Sequence, residues 1–350
     1  MTVQNIEIAG REIGEGCPPY IIAELSGNHN GDLARAFEIM EAARDAGADA
    51  IKLQSYTADT ITLDHDGPEF KITDGLWRGR TLYELYKEAA TPWDWHEKLF
   101  NKGKELGITV FSSPFDDTAV DLLQALDAPA YKIASFEIID VPLIAKAAAT
   151  GKPLIISTGM ATWTEIQDAV DAARGAGCKS IVLLHCISAY PTSPADSHLK
   201  SIPELSRTFG ALPGLSDHTL GNTTAIAAVA LGATVIEKHV TLRRDDGGPD
   251  AAFSLEPAEL AELVRDARVT WSALGEVRYG PSIAETASLK FRRSLYAVSD
   301  IIEGDKIAES DVRSIRPALG LPPKHLTNVI GRHAATTIKR GTPISWDLLD

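Results

Sequence analysis

Cysteine is scarce in this chain. Cys17, Cys178 and Cys186 are the only three in 350 residues, and they stand apart with no Cys-x-x-Cys spacing. That argues against a disulfide framework or a zinc knuckle and fits a reducing compartment, the cytoplasm. Long apolar runs are missing as well: no stretch of about eighteen apolar residues occurs, so no membrane span is expected. The opening MTVQNIEIAGREIGEGC has no apolar export core, so export is not expected either. Positive charge is outnumbered, with 34 Lys and Arg against 48 Asp and Glu, for a net charge of −14. Nucleic-acid binding needs a concentrated basic face, so no nucleic-acid partner is expected. An anionic substrate would need a cationic pocket of its own.

What is present is regular. Short β-branched runs alternate with helical periodicity and predict strands over 20–25, 50–54, 109–113, 131–135, 153–158, 180–186, 212–217 and 234–239. Helices are predicted between them, over 32–46, 93–106, 117–127, 141–150, 162–176, 199–209, 221–231 and 256–274. In the first, Leu33, Phe37, Met40 and Ala43 make an apolar stripe, with Asp32 placed to cap the start and Gly47 the end. Eight βα units in tandem predict an α/β fold, a (β/α)8 TIM barrel; an open doubly wound sheet is the alternative.

The start, VQNIEIAGREIG, reads as a hairpin closing the barrel floor. Residues 55–92 form an overlong connection after the second strand, and such connections in barrels are usually functional. The expected division is 1–280 for the barrel domain with its hairpin in 1–16, 281–293 for a polar linker, and 294–350 for a small C-terminal domain. That last segment has little core of its own and is expected to pack on something.

The mouth of a barrel lies at the C-terminal ends of its strands, and polar residues crowd there. They are Glu24, Asn28 and His29; Lys52 and Gln54; Ser112 and Ser113; Lys132, Ser135 and Glu137; Ser157; His185 and Ser188; Ser216, Asp217 and His218; and Glu237, Lys238 and His239. A lone lysine is ordinarily a surface charge. Lys52, in AIKLQ, and Lys132, in YKIAS, are instead bracketed by apolar neighbours, and with serine hydroxyls they can gather around a phosphate or carboxylate. His218 and His239 end the seventh and eighth strands, which are adjacent in a closed barrel. Two neutral imidazoles suit a divalent metal such as Mn²⁺, although either alone would by default be a satisfied core histidine. Glu24 is placed to act as a general base or to serve as a structural acceptor. His29 and His185 stay open between supporting and substrate-contact roles.

Taken in order, IIAELSGNHNGD, IKLQSY, FSSPFD, YKIASFE, ISTGMA, LLHCISAYPT, GLSDHTLG, IEKHVTL and GPDAAFSLEP closely resemble the sialic acid synthase family, and RRSLYAV…IRPALGLPP resembles its antifreeze-like (SAF) domain. Within that family, GLWRGRTLYELYKEAATPWDWH and PAYKIASFEIIDVPLI look most like the pseudaminic acid synthase branch. The resemblance implies metal-dependent condensation, with Mn²⁺ or Mg²⁺, of phosphoenolpyruvate with an open-chain acetamido sugar. For this branch the sugar is 2,4-diacetamido-2,4,6-trideoxy-L-altrose. It implies His218 and His239 as metal ligands and Glu24 as the proton-transfer carboxylate. Lys52, Ser113, Lys132, Ser135, Ser157, Ser188 and Ser216 would hold phosphoenolpyruvate, and Gln54, Tyr190 and Asp250 would face the sugar. Ser188 stands where neuraminate synthases carry an asparagine. Arg316 matches an arginine that reaches the site from the partner subunit, which implies a domain-swapped homodimer. The alternatives are an N-acetylneuraminate or legionaminate synthase and, more remotely, a Schiff-base aldolase using Lys132 or Lys52 or a non-catalytic carbohydrate-binding protein.

Overall fold

Eight apolar runs form eight parallel strands that close on themselves. The computed structural model describes residues 3–350, so the first two positions of the expected 1–16 segment lie outside the described residues. An antiparallel hairpin of β1 (Ile6–Ile8) and β2 (Arg11–Ile13) comes first. The barrel strands follow: β3 (Tyr20–Glu24), β4 (Ala50–Ser55), β5 (Thr109–Pro114), β6 (Tyr131–Ile133), β7 (Leu154–Ser157), β8 (Ile181–Cys186), β9 (Leu212–Asp217) and β10 (Val235–His239). They pair in sequence order, and β10 closes the ring against β3 with His239 beside Glu24. The expected strand over 131–135 stops at Ile133, because the Glu137 N–H bonds to the Ala134 carbonyl and turns the chain into a 3₁₀ segment, Glu137–Ile139.

Helices cover the outside. In the first, Leu33–Asp45, the Asp32 side chain accepts from the Ala34 N–H, satisfying one orphan donor of the opening turn. Its inward stripe, Ala36, Ile39, Met40 and Ala43, packs against outward-facing Ile21, Ala23 and Ile51. The long connection after β4 carries two short helices, Ala58–Ile61 and Leu82–Ala89.

Successive residues on a strand face opposite sides, and this period divides the barrel interior into layers. Tyr20, Ile22, Ala50, Phe111, Ala130, Ile155, Val182, Leu184, Leu212 and Val235 form an apolar cluster with Ile6, Ile8 and Ile13 of the hairpin. The hairpin therefore closes the end where the strands begin. Its two-residue turn, Ala9–Gly10, has φ of 49° and 80°, the primed geometry that matches strand twist. Moving toward the other end, the next inward positions are polar. One inward position of β9 must stay empty: a Cβ on Gly214 would lie 2.4 Å from Leu184 Cδ2 and 2.6 Å from the Val235 carbonyl oxygen. Gly214→Ala is expected to lower unfolding stability by about 1–3 kcal/mol in a denaturant titration, as overpacked cores do. An unchanged midpoint would show that the layer has slack.

A second unit spans Glu276–Asp350. It contains the antiparallel strands β11 (Ser294–Ala297) and β12 (Val312–Ile315) and a core of its own that includes Leu295, Ile301, Ile307, Val329, Ile338 and Ile344. Ahead of that core, Val277, Tyr279 and Ile283 are almost fully exposed. No helix among the described residues is long and apolar enough to cross a membrane.

Candidate active site

The polar layer begins with two lysines on inward positions. Lys52 of β4 lies beside Glu24 of β3 in the sheet register, and its ammonium contacts Glu24 Oε2 at 2.7 Å and Glu237 Oε1, from β10, at 3.1 Å. Lys132 of β6 reaches to 3.9 Å from the same Glu237 oxygen and donates to the Ile133 carbonyl at 3.0 Å. All four charged groups are buried, so each needs a partner. Burial by itself would lower the Lys52 ammonium, but Glu237 and Glu24 together hold it above its ordinary value. Lys132 is pushed down to about 8, chiefly by burial and partly by Lys52, with Glu237 opposing. Burial raises Glu24 against the pull of Lys52, whereas Glu237 sits low because both lysines outweigh its burial.

Hydroxyls ring these ammonium groups. Ser113 Oγ is 3.4 Å from the Lys52 ammonium, and Ser216 donates to Glu237 Oε1 at 3.1 Å. Ser135 and Ser188 share a hydrogen bond of 2.8 Å, so Ser188 reaches the hydroxyl cluster despite its shortness relative to asparagine. The pair closes over Gly159, where φ is +47° and a Cβ would come within 2.5 Å of Ser135 Cβ. Ser157 Oγ is buried with no partner in the protein. Two cations and an unpartnered hydroxyl in one layer make a cradle able to replace the hydration shell of an anion.

The imidazoles meet. The rings of His218 and His239 lie 5.3 Å apart, and Tyr190 and Phe253 pack on them. His218 Nδ1 donates to the Ile187 carbonyl at 2.9 Å, which leaves Nε2 with its lone pair. His239 Nδ1 is buried without a hydrogen bond and stands 3.6 Å from Asp250 Oδ2. Burial keeps both rings well toward the neutral form, assisted at His239 by His218 and the lysines. Neutral rings with an orphaned nitrogen fit a divalent metal. No group of three or more His, Cys, Asp or Glu capable of holding a metal forms among the described residues. An ion held by these two histidines would thus keep several positions open, as catalytic metals do.

Gln54 and Asp250 complete this wall. Gln54 donates to Glu24 Oε1 and to Ser26 Oγ, both at 3.2 Å, and Ser26 in turn bonds to Asp250. Burial pushes Asp250 up to about 6.

Not every polar strand end joins the site. Lys238 and Asp217 face outward and pair with each other at 2.9 Å, and Ser112 bonds to Ser55 on the same outer side. His185 also turns outward, to the Ser197 carbonyl at 2.6 Å. His29 packs edge-to-face on Trp95 and accepts from the Gly31 N–H. Neither histidine reaches the other two. Arg316 is exposed on the second unit, directly after β12. Two carboxylates gain weight that the sequence did not give them. Glu237 bridges the lysines, and Glu137, half-buried with Oε2 unpartnered, is pushed up to about 7 by burial. Both were visible as polar strand ends, but only the fold supplies their partners.

Charge pairs and neutral imidazoles gathered at the C-terminal rim of a closed barrel define the class, a (β/α)8-barrel enzyme handling an anionic small molecule. The chain belongs to the NeuB family, whose model matches residues 39–279; a SAF domain model matches 292–350. It is 44% identical to the pseudaminic acid synthase of Helicobacter pylori over 94% of this chain and 97% of that protein. It is 35% identical to the N,N'-diacetyllegionaminic acid synthase of Legionella pneumophila, covering 96% of each. The crystal structure of the N-acetylneuraminic acid synthetase of Leptospira borgpetersenii, in complex with citrate, superposes with a TM-score of 0.74 at 32% identity, over 83% of this chain and 96% of that one.

Proposed function

We propose that this chain condenses phosphoenolpyruvate with 2,4-diacetamido-2,4,6-trideoxy-L-altrose and water, releasing pseudaminate and inorganic phosphate. The observation that carries the reading is that Glu237, which both Lys52 and Lys132 approach, and His239, which faces His218, are successive inward residues of β10, in a chain so similar to a pseudaminic acid synthase. Lys52, Lys132 and the hydroxyls of Ser113, Ser135, Ser157, Ser188 and Ser216 would bind the carboxylate and phosphate of phosphoenolpyruvate. His218 and His239 would hold a divalent ion, Mn²⁺ or Mg²⁺, which when bound supplies Lewis acidity toward a carbonyl oxygen. Gln54, Tyr190 and Asp250 would orient the sugar so that its aldehyde carbon faces the enol carbon. After the carbon–carbon bond forms, the phosphate-bearing carbon is an oxocarbenium. Glu24 would take a proton from the water that adds there, the former aldehyde oxygen gains a proton to become a hydroxyl, and the resulting tetrahedral carbon becomes the keto carbon as its bond to the phosphate oxygen breaks.

The test is phosphate release by the full chain given phosphoenolpyruvate and a panel of acetamido sugars, before and after EDTA. Release with the diacetamido sugar, lost with EDTA and restored by Mn²⁺, is the expected result; preference for N-acetylmannosamine would move the reading to a neuraminate synthase. One observation favours a second reading. A buried lysine lowered to about 8, as Lys132 is, is what a Schiff-base nucleophile requires. A substrate adduct trapped by borohydride would establish that chemistry instead.

The apolar residues exposed at the rim, Phe136, Ile139, Met160, Trp163 and Leu220, support a covering partner, a second copy in a domain-swapped homodimer. Arg316 of the partner subunit would then reach the sugar. Arg316→Ala is expected to raise the KM for sugar by about tenfold, the loss of one charge-assisted hydrogen bond, with little change for phosphoenolpyruvate. Equal effects on both substrates would count against that placement.

A further inference from the structure

We propose that Trp77 determines specificity, forming an apolar wall for the half of the sugar remote from its aldehyde. The inference rests on the reaction proposed above. A chain of aromatic rings leads outward from the imidazoles: Tyr190 lies 4.5 Å from His218, and Trp77 lies 5.6 Å from Tyr190. Trp77 thus stands two rings from the site that would take the aldehyde, on the overlong connection after β4. Its indole N–H is already used, donating to the Pro249 carbonyl at 2.8 Å, next to Asp250. The half-buried ring therefore offers a ligand only hydrocarbon and π surface. A methyl group gains by packing there, whereas a hydroxyl would lose water without finding a partner.

The loop that carries Trp77 is held at its base. The Ile72 N–H bonds to the Arg80 carbonyl and the Gly79 N–H to the Ile72 carbonyl, both at 2.9 Å. Thr81 and Glu84 then cap the helix Leu82–Ala89 reciprocally. Ala89, at the far end of that helix, lies so close to Gly27 that a Cβ there would be 3.1 Å from it and 3.2 Å from Pro249. The first barrel loop thereby fixes where the indole stands. In a 2,4-diacetamido-2,4,6-trideoxy sugar the remote half bears a C6 methyl and an acetamido methyl, where N-acetylmannosamine has hydroxyls. That difference is what an indole without a free donor can read.

The test compares the full chain with Trp77→Ala and Trp77→Phe in steady-state phosphate release with both sugars. Trp77→Ala is expected to raise the KM for the diacetamido sugar by about 10- to 100-fold and to erode its preference over N-acetylmannosamine in kcat/KM, the range that loss of an apolar contact covers. The KM for phosphoenolpyruvate should stay within about twofold, since the partners of the indole, Tyr190 and the Pro249 carbonyl, are not among the residues assigned to that cradle. Trp77→Phe, which keeps an apolar face, should restore most of the preference. An unchanged sugar KM, an equal rise for phosphoenolpyruvate, or a Phe variant as impaired as the Ala variant would overturn the inference. Absence of phosphate release by the unsubstituted chain with every sugar would instead overturn the underlying reaction, and this inference with it.

Discussion

His239→Ala is expected to yield a folded protein that contains little bound metal and releases phosphate about a thousandfold more slowly. The magnitude follows from several kcal/mol of transition-state stabilisation at about 1.4 kcal/mol per decade of rate. The structural ground is the orphaned Nδ1 of a buried ring held neutral beside His218. Removing the ring also leaves a cavity beside His218 and Phe253 and takes away the stabilisation a bound ion gives, so the melting temperature should fall while the fold is kept. Metal content is read by elemental analysis of the purified protein, independently of turnover. Full activity in metal-free buffer, or wild-type metal content in the variant, would reject the role given to His239.

Lys52→Met has the other large expected effect, and it acts on stability as well as on chemistry. Lys52 is buried and lies within 3.1 Å of carboxylate oxygens on both Glu24 and Glu237. Methionine keeps the length of the side chain and removes the charge, which leaves Glu24 without a cation and Glu237 with only Lys132. Breaking one partner out of a buried ion pair costs about 3–5 kcal/mol, measurable as the difference between the two proteins in denaturant titrations at pH 7. The pH dependence has a definite sign. In the variant, Glu24 is a buried carboxyl without its cation, so its folded pKa lies above its unfolded one. The folded state then takes up a proton that the unfolded chain does not, and folding is favoured as pH falls. The gap to wild type should narrow between pH 7 and pH 5. A gap that stays constant over that range, or one below about 1 kcal/mol, would mean that the carboxylates find other compensation.

The strands and helices were legible because the periods differ. Runs such as IIA and IVLL, separated by stripes such as Leu33–Phe37–Met40, mark strand and helix without ambiguity of length. The two lysines were legible for a related reason: an ammonium flanked by apolar residues on a short strand has nowhere to go but the interior or the rim. The apolar pattern extends the strand to Ser135, two residues past its end at Ile133, since nothing in YKIAS announces the turn closed between Ala134 and Glu137. Their position at strand ends groups Lys238 and Asp217 with the site, whereas in the structure they point away from it and pair with each other. Alternation would have separated Glu237 and His239 from Lys238, but only once a reference residue on β10 was known to face inward.

By itself the sequence determined the order of the eight βα units, the polar character of one set of strand ends, and the placement of two histidines at the ends of neighbouring strands. These are local matters, set by side-chain periodicity and by the rule that consecutive parallel strands lie side by side. Only the tertiary structure decided which carboxylate answers which lysine. Glu237 meets Lys52 because β10 closes the ring against β3, beside β4, and that closure joins positions far apart along the chain. A buried charge must be neutralised by whatever the fold brings within a few ångströms, and no local pattern encodes that distance.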